Sequence, residues 1–570
     1  MNKWFLYTKR ADFAAIGKRF GIDAVTARVI RNRDIVEDGD IDMLLNGGTE
    51  MLYDERLLPD IEEAADILAE AVKKKERIRI VGDYDIDGVC STYILLMSLR
   101  KAGAQADARI PDRIRDGYGI NSKIVEEAID DGTDIILTCD NGIAAIEELA
   151  AAKKSGLRVI VTDHHSIRQR EDGSELLPEA DAVVDVKRKD SRYPTQEICG
   201  AVIAWKLIKR LGEKLGADRD EWLSLLEFAA VATVGDIMPL TGENRIIVRE
   251  GLKRLNSAEG PVNLGLGVLT ESLGLKGKAI DTYHIGFVIG PCINAGGRLE
   301  SADIALRLFL SEDKAEAEVL SRKLIQLNEE RRQMTEKGVS DGIEIIEGYC
   351  SEDKVLVVYL PGLHESLAGI VAGRLKEKYY RPCIVVTDAV NGLKGSGRSI
   401  ESYDMFEGLC RASSHLTKFG GHRMAAGLSL SPGELEPLRR ELNDNSGLES
   451  EDFVKKIWID AAMPPAYVSE RLINELEMLG PFGPGFERPL FACKSIRVLE
   501  KRVLGKHRNA LKLRIADGYG RCFDGIMFGD ADELIKTIPC DTECSVLYYP
   551  KINEYGGRKS IQLEIREFSK

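Results

Sequence analysis

The chain of 570 residues contains no run of 18 or more apolar residues, which excludes a membrane-spanning helix as its organising feature. Its start, "MNKWFLYTKRADF", has an apolar part too short for a signal peptide. No CxxC pair occurs among the 11 cysteines; Cys540 and Cys544 lie nearest each other, without the His or Cys neighbours a zinc site needs. An odd number of scattered thiols suits a reducing compartment, so the expected location is cytoplasmic and the thiols read as small buried hydrophobes. Aromatics are scarce at 6%, histidines number only seven, and no internal repeat or low-complexity tract is present. A net charge of −14 leaves no global positive field, so any nucleic-acid contact has to come from local clusters. What remains is an ordinary globular composition with 30% charged residues, at a length that predicts three or four domains.

Five stretches divide the chain. Residues 1–50 carry short helical patterns without chemistry. From 51 to 310 strands and helices alternate: "IEEAADILAEAVKKKE" as an amphipathic helix with acids first and bases last, then "RIRIVGD", "ADARIPDR", "DIILTCD", "RVIVTDHH" and "DAVVDV" as strands with helices between them. That alternation predicts a parallel sheet in an α/β fold. Residues 311–346 read as a long connecting helix and 347–445 as a second α/β domain. After a polar linker, 446–570 show short strands and turns that suit an OB-like β-barrel.

The most informative stretch is "VGDYDIDG", which sets Asp83, Asp85 and Asp87 on alternate positions before Gly88. A calcium loop would need an acidic residue at its twelfth position, where Ile94 stands, and would leave a helix rather than a strand. A strand that runs into carboxylates and then a helix is instead the ligand edge of an open α/β sheet. Asp140 in "TCDNG", Asp163, His164 and His165 in "TDHHS", and Asp236 in "VGDIMPL" follow strands or an apolar helix in the same way. Singly, each such Asp is a cap or turn former. Together, converging carboxylates require a cation, and carboxylates with imidazoles but no thiolates suit Mn²⁺ or Mg²⁺. Two such ions about 3.5–4 Å apart are a standard device for phosphate-ester displacement.

"DYDIDG", "CDNG", "TDHH" and "VGDIMPL" resemble the four signature motifs of the DHH phosphoesterases. "RDGYG", "ENR", "IGPCINAGGRL", "LNEERR", "GSGRS", "FGGHRMAAG" and "PFGPG" extend the likeness to the RecJ branch, single-strand-specific 5′→3′ exonucleases. The resemblance spans roughly residues 50–570. It implies two metal ions: Asp83 and Asp85 facing one ion each, Asp140 bridging, His164 and Asp236 on the second ion, and His165 meeting the scissile phosphate. Catalysis thus falls to Asp140 and His165. Asp87 is expected to begin a helix, and Asp163 either to hold a histidine tautomer or to cap a turn. The resemblance further implies substrate contacts from Arg113, Arg298, Ser396, Arg398 and His422, the last three on glycine-rich segments whose backbone a phosphate can approach. His284, His364, His415 and His507 are expected to be ordinary polar positions. Two departures stand out: Cys292 and Gly296 replace the family's usual Arg and Ala, and Phe486 its usual Asn.

Eight Lys or Arg and one acid lie between Lys494 and Arg514, with Phe523, Phe528, Tyr548, Tyr549 and Tyr555 close in sequence. Basic residues with aromatic platforms suit single-stranded DNA. The expected protein is a metal-dependent exonuclease of DNA repair and recombination that binds single-stranded DNA, with a single-strand-binding protein as a further candidate partner, no membrane, and a monomeric state. The alternatives are a phosphoesterase for short oligonucleotides or cyclic dinucleotides, which would not need the barrel, and a non-catalytic replication scaffold, which would not need the ligands.

Overall fold

The computed structural model describes every residue except 1, 258, 259, 262, 391, 506, 507, 539–541, 556 and 570. His507, Cys540 and the side chain of Tyr555 therefore lie outside the described residues. The chain divides into two compact units, Tyr53–Met238 with Glu250–Lys455, and Asn2–Leu52 with Pro239–Arg249 and Lys456–Lys570.

In the first unit, strands β1 (Arg77–Val81), β2 (Gln105–Arg109), β3 (Ile135–Cys139), β4 (Arg158–Asp163) and β5 (Ala182–Asp185) form an all-parallel sheet in the order β2-β1-β3-β4-β5. The β-branched runs specify this arrangement. All five residues of the central strand β3 are buried, as expected where helices cover both faces. Burying each Ile or Leu there contributes roughly 1.5–3 kcal/mol. Helix α1 (Ile61–Lys74) carries Glu62 and Glu63 in its first turn and Lys73 and Lys74 in its last, matching the helix dipole. Helix α2 (Ile86–Lys101) follows β1 directly and is buried over nearly its whole length. Helices α3 (Gly200–Leu215), α4 (Leu226–Gly235) and α5 (Gly290–Leu299) pack against it. A 36-residue helix, α6 (Lys314–Tyr349), capped by Asp313, leads to the second sheet.

That sheet has the order β9-β10-β8-β7-β6, with β6 (Leu356–Tyr359), β7 (Cys383–Ala389), β8 (Gly392–Arg398), β9 (Lys418–His422) and β10 (Ala425–Leu430). Only β6 and β7 are parallel; the other pairs are antiparallel. Helix α7 (Ala368–Tyr379) packs on β7 and β8.

The second unit is built on a six-stranded sheet, five strands of which close into a barrel. Its strands Phe491–Leu504, Ala510–Ala516 and Cys522–Phe528 are antiparallel neighbours, and pairing of Phe491–Leu504 with Cys544–Tyr555 closes the barrel. The N-terminal segment belongs to this unit. Strand Lys3–Leu6 pairs in parallel with Lys456–Ile459, and Ile22, Ala27, Val29, Ile30, Ile41 and Leu44 share a core with barrel residues. Phe486, the departure noted above, is 1% exposed in that core, with the guanidinium of Arg245 4.7 Å from its ring. Arg245 also donates to the carbonyls of Leu479, Gly480 and Pro481. A large apolar ring in this turn gives the buried arginine a face to pack on.

No helix of the described residues is long and apolar enough to cross a membrane. All ten described cysteines are free, seven of them buried, as small hydrophobes would be.

Candidate metal centre and anion cleft

Parallel strands β1, β3 and β4 end on one edge, and the loops leaving them carry the acidic and imidazole groups. Asp83 follows β1, Asp140 follows β3, and His164 and His165 follow β4. Asp85 caps α2, its Oδ1 accepting from the backbone N–H groups of Asp87 and Gly88. Asp236 closes α4 as its C-cap. Asp140 adopts φ 60°, as does Ile237 beside Asp236. Left-handed backbone at non-glycine residues costs energy and concentrates at functional sites. Gly200 stands against Asp140, where a Cβ would come within 2.8 Å of the Asp140 Cβ.

Three overlapping groups of side chains have ligand atoms within 4.8 Å of one another: Asp83 with Asp85 and Asp140, Asp87 with His164 and Asp236, and Asp140 with His164 and His165. His164 Nε2 lies 3.1 Å from Asp140 Oδ1, 3.6 Å from Asp87 Oδ2 and 3.8 Å from Asp236 Oδ2. The five residues expected to hold metal, Asp83, Asp85, Asp140, His164 and Asp236, are thus brought together, with His165 beside them. Asp87 lies in the first turn of α2, as expected of a helix-start residue, but it is not the cap and it joins the ligand group. The helix is capped by Asp85 and already starts at Ile86, while the fully buried Asp87 accepts from Gly200 N at 2.7 Å and Ala201 N at 2.8 Å and faces His164.

The electrostatics are those of a site short of positive charge. Burial, with repulsion from Asp85, raises the Asp83 carboxyl well above its ordinary range. Burial and the surrounding carboxylates do the same to Asp140. Burial first, then neighbouring carboxylates, push Asp87 to about 6 and Asp236 to about 8. Burial, and then the neighbouring His165, hold His164 down at about 3, so its imidazole is neutral and free to ligate. Asp83 Oδ1 and Asp236 Oδ2 are buried with no hydrogen-bond partner. Orphaned carboxylate oxygens, neutral imidazole and the absence of thiolate fit a hard divalent cation such as Mn²⁺ or Mg²⁺.

His165 behaves differently. Burial lowers its pKa, but the hydrogen bond and charge of Asp163 override this and raise it to about 9. Asp163 also accepts from the N–H groups of His164, His165 and Ile143, fixing the loop. Tyr118, in the "RDGYG" segment, donates to the Asp140 carbonyl at 2.9 Å and lies 3.2 Å from His165 Nδ1. Asn141 bonds the carbonyls of Val81 and Cys139, tying β1 to β3. Asn294 on α5 accepts from Ile86 N. The sequence reading assigned none of Tyr118, Asn141 and Asn294; their position inside the recognised motifs was the only available signal.

The basic residues lie beside this edge. Arg113 stacks on Tyr84 with its guanidinium 4.6 Å from the ring. Arg298 is held by the Ser366 carbonyl at 2.8 Å, and burial together with Arg113 and Arg331 lowers its pKa to about 10. Gly297 beside it approaches the Tyr84 carbonyl so closely that a Cβ would lie 2.2 Å from the oxygen. Ser396 and Arg398 point to one face of β8, with Arg398 Nη1 3.0 Å from Ser396 Oγ. His422 lies on the same rung as Arg398, two strands away through Ala425, and is exposed. At the position of the missing arginine, Cys292 is buried and receives a bond from Asn328 Nδ2, while Asn328 Oδ1 accepts from Arg331. Gly296 faces the Ser301 carbonyl, which a Cβ would approach to 2.8 Å. Three of the remaining histidines are ordinary: His284 caps a short helix with Asp281, His364 bonds Ser366, and His415 sits between Glu434 and Glu441.

The barrel corrects the expected stacking surface. Tyr548 and Tyr549 are 0% and 1% exposed, donating to the Met463 carbonyl and to Glu477. Phe523 packs against the core; only Phe528 of the described candidates is exposed. Lys506 lies outside the described residues, and four of the seven described cations are engaged: Lys501 with the carbonyls of Ile535 and Ile538, Arg508 with Asp532, Lys512 and Arg514 with Asp524.

Residues 77–233 match the DHH family N-terminal domain, 352–446 the DHHA1 domain and 459–567 the RecJ OB domain. The single-stranded-DNA-specific exonuclease RecJ of Bacillus subtilis (strain 168) is 37% identical over 519 residues, 90% of this chain and 64% of its own length. The protein of the same description from Dickeya dadantii is 31% identical over 566 residues, 95% of this chain and 96% of that one. The crystal structure of RecJ in complex with Mn²⁺ from Thermus thermophilus superposes with a TM-score of 0.84 at 28% identity, covering 100% of this chain and 79% of that chain. A Mg²⁺ complex of the same protein gives a TM-score of 0.78. The chain belongs to the RecJ family of DHH proteins.

Proposed function

We propose that the chain is a Mn²⁺- or Mg²⁺-dependent exonuclease that removes nucleotides from the 5′ end of single-stranded DNA in repair and recombination. The observation that carries this reading is the carboxylate–imidazole edge, with three ligand groups linked through Asp140 and His164, each of which belongs to two of them, and two buried carboxylate oxygens lacking a partner. Asp83, Asp85 and Asp140 would hold one cation, and Asp140, His164, Asp236 and Asp87 the other. When bound, the pair of divalent ions acidifies a water and stabilises charge on the phosphate. The chain's own groups do the rest. Asp163 keeps His165 protonated and oriented, so that its imidazolium can donate to a phosphate oxygen as negative charge builds there. Tyr118 braces that imidazole and the Asp140 backbone. Arg113, Arg298, Ser396, Arg398 and His422 donate to the phosphates of the terminal nucleotides. The described free thiols fit a reducing cytoplasm, and the RecJ OB domain fits a protein that meets single-stranded DNA; a monomer with a single-strand-binding protein as partner completes the reading. The experiment is release of mononucleotides from 3′- and 5′-labelled single strands, with and without Mn²⁺. Release from the 5′ end, dependent on the metal and lost on duplex, is the expected result.

A further inference from the structure

Beside the metal edge, a cleft of about 510 Å³ runs between the first domain, at Tyr84, Arg113, Ile114 and Arg168, and the open part of the second sheet. The register of that sheet shows how the cleft is built. Side chains alternate along strands, so Lys394, Ser396 and Arg398 of β8 share one face. Across the sheet, Arg398 is level with Ala425 and His422, Ser396 with Gly427 and Gly420, and Lys394 with Ser429 and Lys418. The middle row is nearly bare: a Cβ at Gly420 or Gly427 would meet nothing within 4 Å. An open trough with a backbone floor therefore joins the Ser396–Arg398 end to a second polar end at Lys394, Ser429 and Lys418.

The charge of the second end is unspent. Lys394 pairs with Glu365 at 2.9 Å, but among the described residues no carboxylate pairs with Lys418, Arg168 or Arg113. With four cations against one carboxylate, the cleft is a polyanion site, and phosphate oxygens are its natural occupants. Two residues along a strand amount to about 6.6 Å, the reach of the two outer phosphates of a triphosphate whose first phosphate sits at Ser396 and Arg398.

We infer that Lys418, Lys394 and Ser429, with Arg168, form a subsite for the outer phosphates of a 5′-di- or triphosphorylated strand, so that such strands are substrates as well as 5′-monophosphorylated ones. The inference rests on the reading of Ser396 and Arg398 as contacts of the terminal nucleotide's phosphate. Hydrolysis of the first internucleotide bond then adds the water oxygen to phosphorus and breaks the P–O3′ bond. The 3′ oxygen takes up a proton, and the product is a nucleoside 5′-triphosphate with a free 3′ hydroxyl.

Two measurements on the full chain test this. The first is calorimetric binding of inorganic tripolyphosphate without metal, to wild type, Lys418→Ala and Ser429→Ala. Hydrogen bonds to charged groups are the stronger ones, so Lys418→Ala is expected to weaken binding roughly tenfold or more. The second compares 5′-triphosphate and 5′-monophosphate oligonucleotides with Mn²⁺, reading the first product by chromatography. Wild type should release a nucleoside triphosphate; Lys418→Ala should slow that release while leaving the monophosphate strand unaffected. Tripolyphosphate binding that Lys418→Ala weakens supports the subsite even if neither strand is cleaved, an outcome that would remove the nuclease reading alone. A wild-type protein that digests the monophosphate strand but neither binds tripolyphosphate nor digests the triphosphate strand would overturn the subsite and leave the nuclease reading intact.

Discussion

His165 Nδ1 lies 2.8 Å from Asp163 Oδ1, and that same oxygen accepts the backbone N–H groups of His164 and His165. One buried carboxylate therefore orients the imidazole proposed to meet the phosphate and shapes the loop that presents His164, a proposed metal ligand. Replacing partners of this kind typically costs about 10–100-fold in activity or metal affinity. Asp163→Asn, nearly isosteric, should lower Mn²⁺-dependent turnover by roughly that range while the far-ultraviolet spectrum stays native. Unchanged turnover would mean that His165 is oriented by something else, Tyr118 being its other hydrogen-bonding neighbour among the described residues.

Metal binding should stabilise the protein more as pH rises. Asp87 and Asp236, at about 6 and about 8, are raised above the carboxyl's unfolded value. Across the window from about 4 to about 8 the metal-free folded state therefore holds protons that the unfolded chain has released, and this cluster's contribution to stability falls with rising pH. A bound cation favours the deprotonated carboxylates and removes that loss. The gain in Tm on adding Mn²⁺ to chelator-treated protein should be larger at pH 8 than at pH 6. Equal gains would indicate that the carboxylates are already ionised without metal.

Phe486 should be a stability residue of the barrel unit. Its ring is 1% exposed and backs the buried guanidinium of Arg245. Truncation of a buried Phe costs about 3–5 kcal/mol. Phe486→Ala should shift the urea transition of that unit by this amount, leaving turnover on a short oligonucleotide unchanged under native conditions. A loss below about 1 kcal/mol would mean the cavity collapses freely.

The barrel is best probed by removing charge rather than by deleting it, because residues 2–52 and 239–249 belong to the barrel's unit and residues from Ile22 to Leu44 contribute to its core. Lys494, Arg497 and Arg502 pair with no carboxylate among the described residues, in contrast to Arg508, Lys512 and Arg514. Replacing the three with Ala should reduce the magnitude of the log K against log salt slope for a single strand by about 0.7 for each phosphate that is no longer neutralised. Metal is omitted in this titration. An unchanged slope would show that this face does not grip the strand.

The parallel sheet and its ligand edge were legible in the sequence because β-branched runs ending in Asp or His carry both the strand and its terminus. Asp87 was not, since an Asp before Gly at a helix start ordinarily caps. Here Asp85 takes the cap, and the partners of Asp87 are the N–H groups of Gly200 and Ala201, more than a hundred residues away. Tyr548 and Tyr549 misled for a related reason. Neighbours in a strand should face opposite ways, but a register shift falls between Leu547 and Tyr548, and the helix Glu470–Met478 supplies Glu477 to the second ring, so both are buried. The basic run from Lys494 to Arg514 looked unopposed because its counter-ions, Asp524 and Asp532, lie outside that window. The parallel pairing of Lys3–Leu6 with Lys456–Ile459 is set by a contact across the whole chain, to which local pattern is blind.

If strand cleavage takes place at the carboxylate–imidazole edge, everything turns on Asp140, which belongs to two of the three ligand groups and lies 3.1 Å from His164. Asp140→Asn preserves the shape of the residue and removes its charge. The decisive assay is Mn²⁺-dependent release of mononucleotides from a 5′-labelled single strand by wild type and Asp140→Asn, with thermal melts confirming that both are folded. The account predicts a folded variant that releases no nucleotides at any Mn²⁺ concentration. Release by the variant at a rate comparable to wild type would contradict it, and would place the chemistry somewhere other than this edge.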